Sequence, residues 1–316
     1  MIPIFLKVLV NIQAKNYQEA YDLEVQIVNT FVKEILQKWK DANFFLPICY
    51  RLCSDLILCA KLVCTILCRC MARSSMDCTK RLAMLNLTNN LFRLYFRISR
   101  LNLLKPLIRA IENCGPLYEH FSMADKVTFQ YYIGRKAMYD SDFKAADEAL
   151  TFAFNNCLPS SIKNLRLILV YLIPVKIYLG YLPPKNLLMK YNLMEFFAVA
   201  EAVKHGDVYR LEEIICSYNP FFVKSGIFLM LDKLKIMACR TLFKKTCRLL
   251  KTSQIPLKAF SIAMKLAKIE DMDADEVECV VANLIFQNKI KGYISHEHQK
   301  LVISRKNPFP SLSKPK

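Results

Sequence analysis

Residues 271–306 read DMDADEVECVVANLIFQNKIKGYISHEHQKLVISRK, and this stretch decides the fold. Asp273 is placed to cap a helix whose first turn holds Asp275, Glu276 and Glu278, a charge that suits the positive end of a helix dipole. Val277, Val280, Val281, Leu284 and Ile285 recur at three- and four-residue steps, so one face of that helix is apolar and packs inward. The helix is expected to end near Asn288. Two short β-prone runs follow, Gly292 to Ser295 and Leu301 to Ser304, joined by a polar turn holding His296 and His298; they predict a hairpin. With helical patterns over 222–250 and 256–269, the order is helix, helix, helix, hairpin, which is that of a winged helix.

Upstream the pattern is helical throughout. Residues 131–159 form the clearest unit. Gly134 and Ala146 lie twelve residues apart, Phe143 sits near the turn and Pro159 follows the second helix, the arrangement of a tetratricopeptide-like hairpin. Asp140, Ser141 and Asp142 end one helix and cap the next. Weaker pairs over 164–180 and 187–217 extend the stack, because each pair buries its apolar face only against a neighbour. Residues 17–38 and 81–100 carry further helical patterns, and Arg93, Arg97 and Arg100 share one face of the latter. The fold class expected is therefore all-α: a tetratricopeptide-like helical repeat stack over 1–220, then a winged helix over 221–306. The Pro- and Ser-rich tail 307–316 is expected to be disordered or to lie extended along a surface.

A chain of 316 residues with 54% hydrophobic content can bury a substantial core. Only 6 Gly occur, which disfavours phosphate-cradling loops. A net charge of +18 calls for an anionic partner: nucleic acid, an acidic protein or a membrane surface. The 13 Cys are scattered through helical patterns and read as reduced thiols. The start lacks the features of a signal peptide. Residues 52–71 are the most apolar run, yet Asp55, Lys61 and Arg69 interrupt it, so a buried helix is expected and no membrane insertion. Cys59, Cys64, Cys68 and Cys70 within it lack paired C-x-x-C spacing, and His296 and His298 read as solvated turn residues, so no metal is expected. Neither a P-loop, a G-x-G-x-x-G turn nor a nucleophile motif is present, and no cofactor or catalytic residue is assigned.

The strongest electrostatic feature lies between Asp232 and Glu270, where ten Lys and Arg occur without one carboxylate. Lys244, Arg248 and Lys251 share a helical face, with Lys245 beside them. Lys289, Lys291, Arg305 and Lys306 flank the hairpin, where a wing touches backbone phosphates. These eight residues are the candidates for contact with nucleic acid or an acidic partner. A winged helix serves protein contacts as readily, so both readings stay open.

The blocks FLMLDKLKIMACRTLFKKTCRLLK, MDADEVECVVANLIFQNKIKGYISHEHQKLVIS and NPFP resemble the C-terminal half of a PCI domain. With LFRLYFRISRLNLLKPLIRAIE, YYIGRKAMYDSDFKAADEALTFAF and LIPVKIYLG upstream, most of the chain resembles the PCI-domain-containing protein two family. The resemblance fades around Cys64 to Thr79, and it implies a longer N-terminal segment than the one present. It implies a nuclear, non-catalytic subunit of the transcription-coupled mRNA export complex, found at nuclear pores with some in the cytoplasm. The implied partners are a GANP-type scaffold, a small acidic DSS-type protein and mRNA bound mostly without regard to sequence. Two alternatives are a PCI scaffold subunit of a proteasome-lid or signalosome assembly, and a DNA-binding winged-helix regulator.

Overall fold

The structure, a computed structural model, describes residues 2–14, 16–31, 34, 48, 84–269 and 272–312. The apolar run 52–71 with its four cysteines lies outside the described residues. Two compact units divide the chain, Met1–Lys136 and Ala137–Lys316. The first holds α1 (Ile2–Gln13), α2 (Tyr17–Phe31), α3 (Met84–Arg97), α4 (Leu104–Glu112), the single turn α5 (Leu117–His120) and most of α6 (Met123–Tyr139). Its core is aromatic and aliphatic: Phe92 is fully buried, stacks on Phe129 at 5.6 Å and meets Tyr132 edge-on at 5.9 Å. Arg93, Arg97 and Arg100 all face solvent.

The second unit carries the stack and the winged helix. Its helices are α7 (Phe143–Asn156), α8 (Ile162–Tyr178), α9 (Lys185–Lys190), α10 (Glu195–His205), α11 (Val208–Ser217), α12 (Asn219–Ser225) and α13 (Phe228–Leu250). Asp142 accepts a hydrogen bond from the Ala145 N–H at 3.2 Å and Asp207 one from the Arg210 N–H at 3.0 Å, so α7 and α11 each begin on a side-chain cap. Helix α8 is apolar around most of its circumference, burying ten of its 17 residues, as a central helix flanked by α7, α10 and α13 must.

The helical pattern over 222–250 is two helices, not one. The chain turns at Gly226, whose φ of +71° closes α12 in the left-handed region, where a side chain is disfavoured. A Cβ there would also meet the Tyr139 hydroxyl at 2.6 Å.

Beyond α13 come β1 (Gln254–Pro256), α14 (Leu257–Leu266), α15 (Ala274–Phe286), β2 (Gly292–Ser295) and β3 (Lys300–Ile303). The expected capping of α15 is present in reciprocal form. The Glu276 N–H donates to Asp273 at 2.7 Å, and the Asp273 N–H donates to the Glu276 carboxylate at 3.2 Å. The hairpin gains a third strand that the sequence pattern did not announce. The sheet runs β1-β3-β2, all antiparallel, with Ile255 opposite Leu301 and both fully buried. Three residues ending in proline give too short a run to read as a strand.

The tail does not begin loose. The Pro308 carbonyl accepts from the Lys291 N–H at 2.8 Å, the Pro310 carbonyl accepts from Arg240, and Phe309 is 7% exposed. Residues 307–310 thus form a strap on the winged helix.

The C-cap of α10 shows how closely the stack and the winged helix meet. Gly206 has φ +67°, and a Cβ on it would come within 2.7 Å of the Leu242 nitrogen in the middle of α13. Gly206→Ala therefore adds both left-handed strain and a clash with helix backbone. It is expected to cost about 2 kcal/mol or more, read as a lowered urea midpoint at unchanged m-value.

Candidate nucleic-acid interface

Helix α13 sets out the cationic side chains, and its periodicity decides which act together. Arg240, Lys244 and Arg248 are four residues apart and form one row along the helix. Arg240, at the inner end, is 5% exposed. Its Nε donates to the Lys289 carbonyl at 2.9 Å and its Nη2 to the Pro310 carbonyl at 2.6 Å, while its guanidinium lies 5.7 Å from the Phe309 ring centroid. Burial brings its pKa down to about 10, so it stays charged at neutral pH. This side chain fastens both the segment after α15 and the tail strap to α13. It was not among the eight sequence candidates, although its position in the row was legible.

Lys244 is half-buried. Burial pushes its ammonium below the ordinary lysine range, and the positive charges of Arg248 and Arg240 push the same way. Arg248 is exposed, and Lys251, just past the helix end at φ +52°, is exposed too. Lys245 points elsewhere. Its Nζ donates to the His205 carbonyl at 2.8 Å, so it sits at the C-terminus of α10, where a cation is favoured.

The flanks of the hairpin divide similarly. Lys289 is half-buried, its Nζ 4.6 Å from the Tyr178 ring centroid. Its pKa is pushed down by burial first, then by Arg240 and by Lys144 of α7. Lys291, Arg305 and Lys306 are exposed at the base of the wing, where the Ser304 N–H donates to the Lys291 carbonyl at 2.8 Å. The structure thus groups Lys244, Arg248 and Lys289 around Arg240, holds Lys291, Arg305 and Lys306 at the wing base, and diverts Lys245. None of these lysines and arginines forms an ion pair with a carboxylate among the described residues, whereas Asp147, Glu201, Glu212, Asp232 and Glu278 each hold a cationic side chain.

The wing tip reaches α15 through His296. His296 Nδ1 lies 3.0 Å from the Glu278 carboxylate, although the imidazole itself is solvated. Elsewhere, Cys239 and Cys247 are buried inside α13 and their thiols are pushed up to about 12, so they remain protonated. Among the described residues no group of three or more His, Cys, Asp or Glu is placed to hold a metal ion, and no helix is long and apolar enough to cross a membrane.

Two measurements test this geometry. Arg240→Met keeps the volume of the stem but leaves two carbonyls without their donor, at a cost of about 2–3 kcal/mol. It is expected to speed tryptic cleavage after Arg305 and Lys306, while Lys251→Met leaves that cleavage unchanged. For His296, the hydrogen bond and charge of Glu278 raise the folded pKa above the ordinary value of about 6.5. The contact therefore holds fully below the unfolded pKa and is lost as pH rises through the folded one. An NMR titration of the imidazole should show the raised midpoint, and Glu278→Gln should bring it back down.

Comparison with known proteins agrees with this architecture. The PCI domain family model matches residues 216–305, which takes in α12 to β3. The PCI domain-containing protein 2 homolog of Caenorhabditis elegans is 47% identical, over 99% of this chain and 83% of its own. PCI domain-containing protein 2 of Xenopus laevis is 45% identical over 94% and 80%. A more distant relative, the protein CSN12 homolog of Neurospora crassa, is 28% identical over 75% of this chain and 57% of its own. With relatives this similar along nearly all of its length, the chain belongs to the PCI domain-containing protein 2 family, a family of PCI scaffold subunits.

Proposed function

We propose that this chain is a non-catalytic scaffold subunit of the nuclear transcription-coupled mRNA export complex, working in the nucleus and at nuclear pores with a share in the cytoplasm. In this reading it joins a GANP-type scaffold to a small acidic DSS-type protein and holds RNA on the basic face of its winged helix. The observation that carries the RNA contact is Lys244 and Arg248 on one row of α13, with Lys289 held by its carbonyl on Arg240 of the same row, cations without carboxylate partners among the described residues. Such a surface neutralises phosphates and releases their counterions, which gives salt-dependent affinity largely indifferent to sequence. The net charge of +18 likewise favours encounter with an acidic, extended partner.

A sequence-specific DNA regulator is less well supported. Helix α15, the one a winged helix lays in a major groove, carries Asp275, Glu276 and Glu278 and no Lys or Arg. Three carboxylates on that helix repel the phosphates that line a groove, whereas the cations lie on α13 and at the wing base.

A pull-down of the tagged full-length chain from nuclear extract tests the reading. The expected recovery is a large scaffold, a small acidic protein and RNA that falls away as salt rises. Replacing Lys244, Arg248 and Lys251 together by Glu, with Lys245 left on its carbonyl, should release the RNA. Lid or signalosome subunits recovered without RNA would overturn the export reading in favour of another PCI assembly.

A further inference from the structure

The strap after β3 lies against the row of cations on α13. Arg240, Lys244 and Arg248 are four residues apart on one helix, so neighbours in the row stand about 5–6 Å apart at Cβ. Arg248 is exposed and Lys244 half-buried, whereas Arg240 is 5% exposed. Strap residues meet that side chain directly. Arg240 Nη2 donates to the Pro310 carbonyl at 2.6 Å, and the centroid of the buried Phe309 ring lies 5.7 Å from the guanidinium carbon. The strap is otherwise held by the Lys291 N–H, which donates to the Pro308 carbonyl at 2.8 Å. Two hydrogen bonds and one ring are a light attachment. Pro308 and Pro310 have no N–H to add to it, and Asn307 enters the strap at φ +50°, in the left-handed region.

We propose that residues 307–310 are an autoinhibitory strap and that Arg240 beneath it is a latent phosphate-binding residue: a nucleic-acid strand on Lys244 and Arg248 displaces the strap and brings the guanidinium into the row. The inference rests on the nucleic-acid reading above and adds to it one contact and a control over that contact.

The exchange favours phosphate at the guanidinium. A phosphate oxygen carries a charge that the Pro310 carbonyl lacks, and charge-assisted hydrogen bonds are about twice as strong as neutral ones. Nη1 makes no hydrogen bond among the described residues, so release of Nη2 leaves two donors side by side for two phosphate oxygens. Nε stays on the Lys289 carbonyl and keeps the group oriented while the strap leaves. Two changes oppose the exchange: Phe309 becomes exposed, and the Lys291 N–H must turn to water. The strap also competes from within the same chain, at high effective concentration. It therefore lowers the affinity of the row without abolishing it.

The test uses the full chain in two experiments. In the first, para-fluorophenylalanine at position 309 is read by fluorine NMR, and a saturating oligouridylate of about 20 nucleotides is expected to move the resonance to its solvent-exposed position. In the second, anisotropy titrations with the same oligonucleotide are run across a range of KCl concentrations. Phe309→Ala, which removes the buried ring, is expected to tighten binding about 3- to 10-fold at low salt and to steepen the slope of log K against log salt by about 0.7, the gain of one phosphate contact. Adding Arg240→Gln to Phe309→Ala should remove both gains. A resonance that does not move at saturation, or a Phe309→Ala chain that binds with the parent slope or more weakly, refutes the strap while RNA binding by Lys244 and Arg248 stands. If neither the parent chain nor Phe309→Ala binds the oligonucleotide, the nucleic-acid reading falls and the inference with it. A resonance moved by polyglutamate and not by the oligonucleotide also overturns the inference, because the row then serves an acidic protein.

Discussion

The buried guanidinium of Arg240 is the interaction on which the winged helix depends. A charged group with 5% exposure is costly to desolvate, and it is tolerated here because two carbonyls and an aromatic face receive it. Both carbonyls belong to segments with no regular hydrogen-bonding pattern of their own, the link after α15 and the strap after β3. One side chain thus fixes the ends of the wing to the longest helix of the unit. It also fixes where Lys289 stands, because the carbonyl it holds belongs to that residue.

The surface around this anchor is strained electrostatically. Lys244 and Lys289 are half-buried among like charges, and each finds its charged state disfavoured by burial first and by neighbouring cations second. Elsewhere in the same unit the chain pairs its charges, as at Lys176 with Asp147 and at Lys235 with Glu212 and Asp232. Cations left unpaired in one region and paired in another concentrate positive potential there.

Much of the fold could be read from the sequence because it rests on local rules. Asp142 and Asp273 cap helices as their positions implied, and the apolar spacing of Val277, Val281 and Leu284 marks the residues that α15 buries. The break at Gly226 was harder to place, since apolar periodicity continues across it and only the structure shows the left-handed backbone that ends α12 there and the Tyr139 hydroxyl that leaves no room for a side chain. Strand β1 was invisible for a related reason: its pairing is with residues almost fifty positions away, and nothing within Gln254–Pro256 announces it.

The candidate interface divides along the same line. The sequence alone determined the helical stack, the winged helix, the capped α15 and a carboxylate-free run rich in Lys and Arg, because composition and 3.6-residue periodicity act over short distances along the chain. The tertiary structure decided how those charges are used. It sent Lys245 to the carbonyl of His205, buried Arg240 as an anchor and laid Lys289 over Tyr178. Each of these depends on which carbonyls and rings lie across a gap between elements far apart in sequence, and no local pattern encodes that distance.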